Sequence, residues 1–192
     1  MTSKLPNTAL LVMDLQNGIV SRFADKPEAL LPFRQAIEVA RSRGIQIIYV
    51  RVAFREGYPE VSPNNKFFGA VTQRPQGMTE SDEATQIHDS VKPQPGDVLV
   101  TKRRISAFAG SDLEVILRAR GISKLVLTGI STSGVVLSTL REAADKDFEL
   151  QVLSDACLDA DPEVHNVLME KVFPRQADVM TAGAWIESLN EA

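Results

Sequence analysis

The stretch LLVMDLQNGI, residues 10–19, decides how the rest of the chain is read. From Ala9 to Met13 every residue is apolar, without polar alternation, and the run then stops at Asp14. That pattern predicts a short strand covered on both faces, with a carboxylate at its end. Working outward, further strand-length apolar runs lie at Ile45 to Val52, Val98 to Val100, Leu125 to Leu127 and Phe148 to Leu153. Helical signals separate them. SDLE at 111–114 has capping-box spacing, Leu113, Ile116 and Leu117 follow at helical intervals, and Gly121 stands where a C-terminal cap would. Asp161 and Pro162 read as an N-cap and first helical position, with Val164, Val167 and Leu168 as the expected inward stripe. Strands alternating with helices require crossover connections, hence an α/β fold with a largely parallel sheet.

A chain of 192 residues with no shift in composition predicts one domain over 1–192. The formal charge of −4 argues against a nucleic-acid partner and favours a small molecule. A single cysteine, Cys157, rules out an internal disulfide and fits a reducing, cytoplasmic setting; its context SDACLDA favours an inert buried thiol. The N-terminal MTSKLPNT leads into an apolar stretch too short for a signal peptide, and no window approaches a membrane span, so no membrane association is expected. Residues 54–96 are dense in Gly, Pro and Asn; so long an excursion is expected to serve function or assembly rather than passive linkage.

In open parallel sheets ligands bind beyond the carboxyl ends of the strands. Asp14, Lys102 of TKRRISAF (101–108) and Gly129 of TGISTSGVVLST (128–139) each end an apolar run, so all three segments point to one rim. A carboxylate emerging from a dry interior ionises reluctantly unless a cation is near, and Lys102 is the candidate cation. Such a pair either moves protons and places charge, or closes the strand ends as a structural ion pair; spacing alone does not choose. Ser131, Thr132 and Ser133 are good N-caps for a helix carrying Val135, Val136 and Leu140 inward. The amides of that turn suit an oxyanion or a carboxylate, or are simply those of a capped turn. Arg51, Arg55, Lys66, Arg74, Lys102, Arg103 and Arg104, interspersed with Phe23, Phe54, Phe67, Phe68 and Phe108, either give a cationic, aromatic rim suited to a small planar or carboxylated substrate or are exposed charges and ordinary core rings; only Phe108, inside the K-x-x-x-S-A-F segment, is favoured for the rim.

The D-x-Q-N segment, the K-x-x-x-S-A-F segment and the G-x-x-T-x-x-x-V-x-x-T turn together resemble the isochorismatase-like (cysteine hydrolase) superfamily, in order along nearly the whole chain. The resemblance implies a three-layer α/β/α sandwich around a six-stranded parallel sheet of order 3-2-1-4-5-6, assembled as a homo-oligomer, a dimer or tetramer. Amide-cleaving members use an Asp, a Lys and a Cys. Asp14 and Lys102 match the first two as catalytic residues, but Val135 falls at the cysteine position. The resemblance also implies a cis peptide between Ile130 and Ser131, with nearby amides forming an oxyanion hole. The substrate site is then expected to take Ile130, Ser131, Ser133 and Val135 from the turn and Phe23 and Phe108 as walls, with Gln16 supporting the Asp14 loop by hydrogen bonding. Isochorismatases likewise lack the cysteine and cleave a vinyl ether without a covalent intermediate, although they carry an aromatic residue and a His where this chain has Ser131 and Ser133. Nicotinamidases of this type bind zinc after the second strand, whereas RVAFREGYPEVSPNN (51–65) has no histidine, so neither a metal nor another cofactor is expected. The expected function is therefore that of a hydrolase with Asp14 as general acid or base and Lys102 as its partner. The alternative is a catalytically silent relative that binds a small molecule or serves in assembly.

Overall fold

The computed structural model describes residues 7–23 and 27–191; the N-terminal segment read above as no signal peptide begins outside them. Six strands form one parallel sheet of order 3-2-1-4-5-6: β1 (Thr8–Met13), β2 (Gln46–Val52), β3 (Val98–Lys102), β4 (Lys124–Ile130), β5 (Glu149–Leu158) and β6 (Asp178–Met180). Five of these coincide with the apolar runs. The three-residue β6, half-buried at the sheet edge, has too little pattern to be read locally.

Helices cover both faces. α2 (Leu31–Ser42) and α6 (Ala182–Glu191) lie on one, against Leu10 and Val12 of β1; α3 (Leu113–Ala119) and α4 (Leu137–Asp145) lie on the other, against Ala9, Leu11 and Met13. Every residue of β1 is buried, which explains the unbroken apolar run: a central strand has no solvent face to make polar. β1 is flanked by β2 and β4, whose following connections leave toward opposite faces, so the crevice beyond its C-terminal end is the topological switch point. Among the described residues no helix is long and apolar enough to cross a membrane.

Two local readings need correction. At α3 the capping box does not form. Ser111 Oγ accepts the Leu113 N–H at 3.2 Å and donates to Ala107 O, but Glu114 turns away to Lys146 of α4 at 2.7 Å. A cation across the helix interface is a better partner than one backbone amide. At α5 (Pro162–Val167) the cap is as expected, with Asp161 accepting from the amides of Glu163 and Val164, yet Val164 and Val167 are 38 % and 41 % exposed. The helix passes directly into a π turn over Leu168–Val172, which rotates the inward face onto Leu168, Met169 and Phe173. The inward position before that turn is held by His165.

Candidate active site

Asp14 follows β1 in a left-handed conformation (φ 59°), which a short polar side chain tolerates better than most. Its N–H still donates to Val50 O at 2.8 Å, extending the strand ladder while the side chain swings over the crevice. Lys102 ends β3, beyond the intervening β2, and spans that gap with a fully buried side chain. Its ammonium contacts Asp14 Oδ2 at 3.0 Å and donates to the carbonyls of Arg104 and Ile105 at 2.9 and 3.0 Å. An ammonium has three protons, so these partners use all of them. Asp14 Oδ1, by contrast, is buried with no hydrogen-bond partner among the described residues. Burial pushes the Asp14 carboxyl above its ordinary value, and the charge and hydrogen bond of Lys102 oppose that shift without cancelling it.

The scaffold around the pair is over-determined. Gln16, 1 % exposed, donates through Nε2 to Val52 O and Thr85 O, both at 2.9 Å, and accepts the Val52 N–H through Oε1 at 2.9 Å. Both its donors and one lone pair of its oxygen are thereby spent on tying the Asp14 loop to β2 and to the excursion, the supporting role expected of it, although it also lines the pocket. Gly129, at the end of β4, lies against β1: a Cβ there would stand 2.8 Å from Met13 O and 3.0 Å from Met13 Cβ. Gly129→Ala is therefore expected to cost about 1–3 kcal/mol by forcing apart the strands that carry the site. A urea midpoint unchanged from wild type would refute that packing argument.

The peptide between Ile130 and Ser131 is cis, and a π turn follows over Thr132–Val136. Ile130, Ser131, Gly134 and Val135 from this turn line the same pocket as Asp14 and Lys102. One contact from α5 and one from the β5–α5 connection hold the turn: Thr132 Oγ1 lies 2.8 Å from His165 Nδ1, and the Ser133 N–H donates to Asp159 at 2.7 Å. Ser133 is consequently exposed and turned away from the pocket. Phe108 is also outside it. The Ala107 N–H donates to Thr139 Oγ1 and Ser106 pairs with Glu142, so the segment is pinned to α4 and Phe108 packs in the core against Phe148, with Lys146 Nζ 5.5 Å from its ring centroid. Ile105, three residues earlier, is the side chain that joins Lys102 of the same motif in lining the pocket.

The pocket itself is about 330 Å³ and mostly apolar. The 54–96 excursion folds over this chain's own site: Phe68 and Met78, in a small apolar cluster with Val52, Phe54 and Val71, help to form its wall, together with Phe67, Arg74 and Gln76. Most of the expected cationic rim is engaged elsewhere. Arg55 and Arg103 meet Glu60, Arg103 also meets Glu80, Arg51 bonds Thr101 and Gln86, and Arg104 bonds Glu60 O. Ile19, Arg22 and Phe23 reach the pocket from α1 (Asn17–Phe23). Of these only Phe23 was foreseen, although the helical spacing 19, 22, 23 marks a single face once that segment is read as a helix.

Cys157, the chain's one cysteine, is buried in the core with Sγ 4.0 Å from Leu127 O; burial pushes its thiol well up, and it does not line the pocket. The pocket thus contains no thiol. Among the described residues no three His, Cys, Asp or Glu side chains converge as a metal site would require.

The profile of the isochorismatase domain matches residues 8–184. The ureidoacrylate amidohydrolase RutB of Stutzerimonas stutzeri is 34% identical, over 97% of this chain and 82% of its own length. The uncharacterized isochorismatase family protein YwoC of Bacillus subtilis is 33% identical, over 95% of this chain and 94% of its own. Among solved structures, an isochorismatase family protein from Burkholderia thailandensis superposes with a TM-score of 0.83 at 30% identity, covering 100% of both chains.

Proposed function

This chain belongs to the isochorismatase family of hydrolases, and from that premise we propose that it hydrolyses a small carboxylated substrate by proton donation from Asp14 and direct addition of water, with no covalent enzyme intermediate. The observation that carries this reading is Asp14 Oδ1, a buried carboxylate oxygen without a partner in a pocket without a thiol. Burial favours the protonated form of that carboxyl, and an acid with an unengaged oxygen has a proton to deliver to whatever fills the pocket.

The chemistry that suits such an acid is hydration of a carbon–carbon double bond bearing oxygen or nitrogen. Asp14 gives its proton to the far carbon, water adds to the heteroatom-stabilised cation, and the Asp14 carboxylate takes the proton that water sheds. The hemiketal or hemiaminal so formed then collapses to a carbonyl, its hydroxyl proton passing to the leaving oxygen or nitrogen as the C–O or C–N bond breaks. An enol ether such as isochorismate and an enamide such as ureidoacrylate both present that motif beside a carboxylate. Lys102, with all its protons engaged, holds Asp14 in place and steadies the carboxylate after proton loss.

The test is turnover of isochorismate, ureidoacrylate, nicotinamide and N-carbamoylsarcosine, with quenched protein weighed during the reaction. Product without any mass adduct is the expected outcome. An acyl adduct would overturn the proposed mechanism, and binding of every compound without conversion would favour a silent pocket instead.

Val135 lines the pocket at the position where amide-cleaving relatives of this type are expected to carry their nucleophile. Val135→Cys is therefore expected to add a trappable thioester with nicotinamide, or a thiocarbamate with ureidoacrylate, since the swap is slightly smaller and costs less than about 1.5 kcal/mol. If the variant stays folded but never acquires the adduct mass, the turn is not arranged for acyl transfer.

A further inference from the structure

The polar groups of the pocket divide into those already satisfied and those left open. Gln16 and Lys102 are spent on the scaffold. Lys102 is therefore unavailable to a substrate's anionic group, although it is the most deeply buried cation of the site. The remaining positive charge of the lining is nearer solvent: Arg22 from α1 is exposed and Arg74 from the excursion half-buried, whereas Asp14 and Lys102 are buried.

Among the described residues neither guanidinium meets a carboxylate within ion-pair distance, and Arg74 has only a 3.9 Å contact to Met78 Sδ. Arg74 is partly buried, and both its burial and the charge of Arg22 disfavour its protonated form. Two like charges brought together by separate segments, one of them desolvated, make an electrostatically incomplete arrangement that a bridging anion completes. Much of the rest of the lining is apolar, including Ile19, Phe23, Phe68 and Ile105.

We propose that Arg22 and Arg74 jointly bind a single substrate carboxylate on the solvent side of the pocket, so that this group faces outward while the adjoining reacting carbon is turned toward Asp14. This rests on the reading of the pocket as a substrate site, and it assigns anion recognition to the two arginines instead of Lys102. The bridging carboxylate also ties the excursion to α1, so the charged end of the ligand closes the pocket over its apolar body.

Calorimetric titration of the full chain with benzoate and benzamide tests this without needing turnover, so a failure of the hydrolytic reading and a failure of the clamp are separable. Benzoate is expected to bind roughly tenfold or more tightly than benzamide, and each of Arg22→Gln and Arg74→Gln to weaken benzoate roughly tenfold while leaving benzamide unchanged. The double variant should bind the two probes equally. Raising salt in the wild type should weaken benzoate alone, a readout that needs no variant. A benzoate preference that survives in the double variant would place the anion elsewhere in the pocket and overturn the proposal. So would equal binding of the two probes by the wild type.

Discussion

Asp14→Asn is expected to remove hydrolysis of a substrate of this pocket by about 10²–10⁴-fold, the range that a positioned acid or base contributes. The substitution keeps the shape of the side chain but not the proton. The asparagine amide can still face Lys102 and the vacant side of the pocket, so binding should survive while kcat falls. The pH dependence carries the same prediction with a definite sign. Asp14 works in its protonated form, and burial raises its pKa above the ordinary 3.8, so wild-type activity should be high on the acid side and decline as pH rises through the raised value. That limb should be missing from whatever residual rate the variant retains. An unchanged kcat, or a limb rising with pH in the same range, would remove Asp14 from the role of acid.

Lys102→Met should destabilise the fold by about 3–5 kcal/mol, the usual cost of breaking one side of a buried pair. The loss has two sources. Asp14 is left buried without its only cation, and the carbonyls of Arg104 and Ile105 lose the donor that satisfied them. Removing both charges with Asp14→Leu/Lys102→Met should recover a large part of the deficit, because the apolar pair no longer carries a stranded carboxylate.

The pH dependence of this deficit follows from linkage. A carboxyl whose folded pKa is raised binds more protons when folded than when unfolded, so its contribution is fully present below 3.8 and is lost as pH rises through the folded pKa. Without Lys102 to oppose desolvation, the folded pKa of Asp14 climbs further. The gap between variant and wild type should therefore be smallest in acid and widen toward neutral pH. Urea unfolding at several pH values measures it, and a gap that narrows with rising pH would contradict the assignment of the pair.

How legible the site was in the sequence varied with how local the cause was. Asp14, Lys102 and the 130–135 turn stand at the carboxyl ends of strands, where the end of an apolar run announces them. Phe108 sits in the same motif as Lys102, yet its direction is set by contacts of the neighbouring residues with Thr139 and Glu142, more than thirty residues away. Ser133 was misplaced for a similar reason, since its amide is drawn to Asp159 on another connection. Val164 and Val167 keep helical spacing, but a π turn just beyond them shifts which face goes inward. Arg22 and Arg74 are ordinary basic residues in sequence, and only folding sets them against one pocket.

The sequence by itself determined the architecture, because strands buried on both faces must be apolar throughout and capped helices between them leave a parallel sheet as the way to connect them. It also determined that no thiol besides Cys157 exists to serve as a nucleophile. Only the tertiary structure decided which polar groups remain open. Whether Lys102 is free or spent, whether Asp14 Oδ1 has a partner, and which of the arginines is already paired all depend on atoms brought together from distant segments. Hydrogen-bond capacity is used up in three dimensions, and what is left unused is what a substrate can meet.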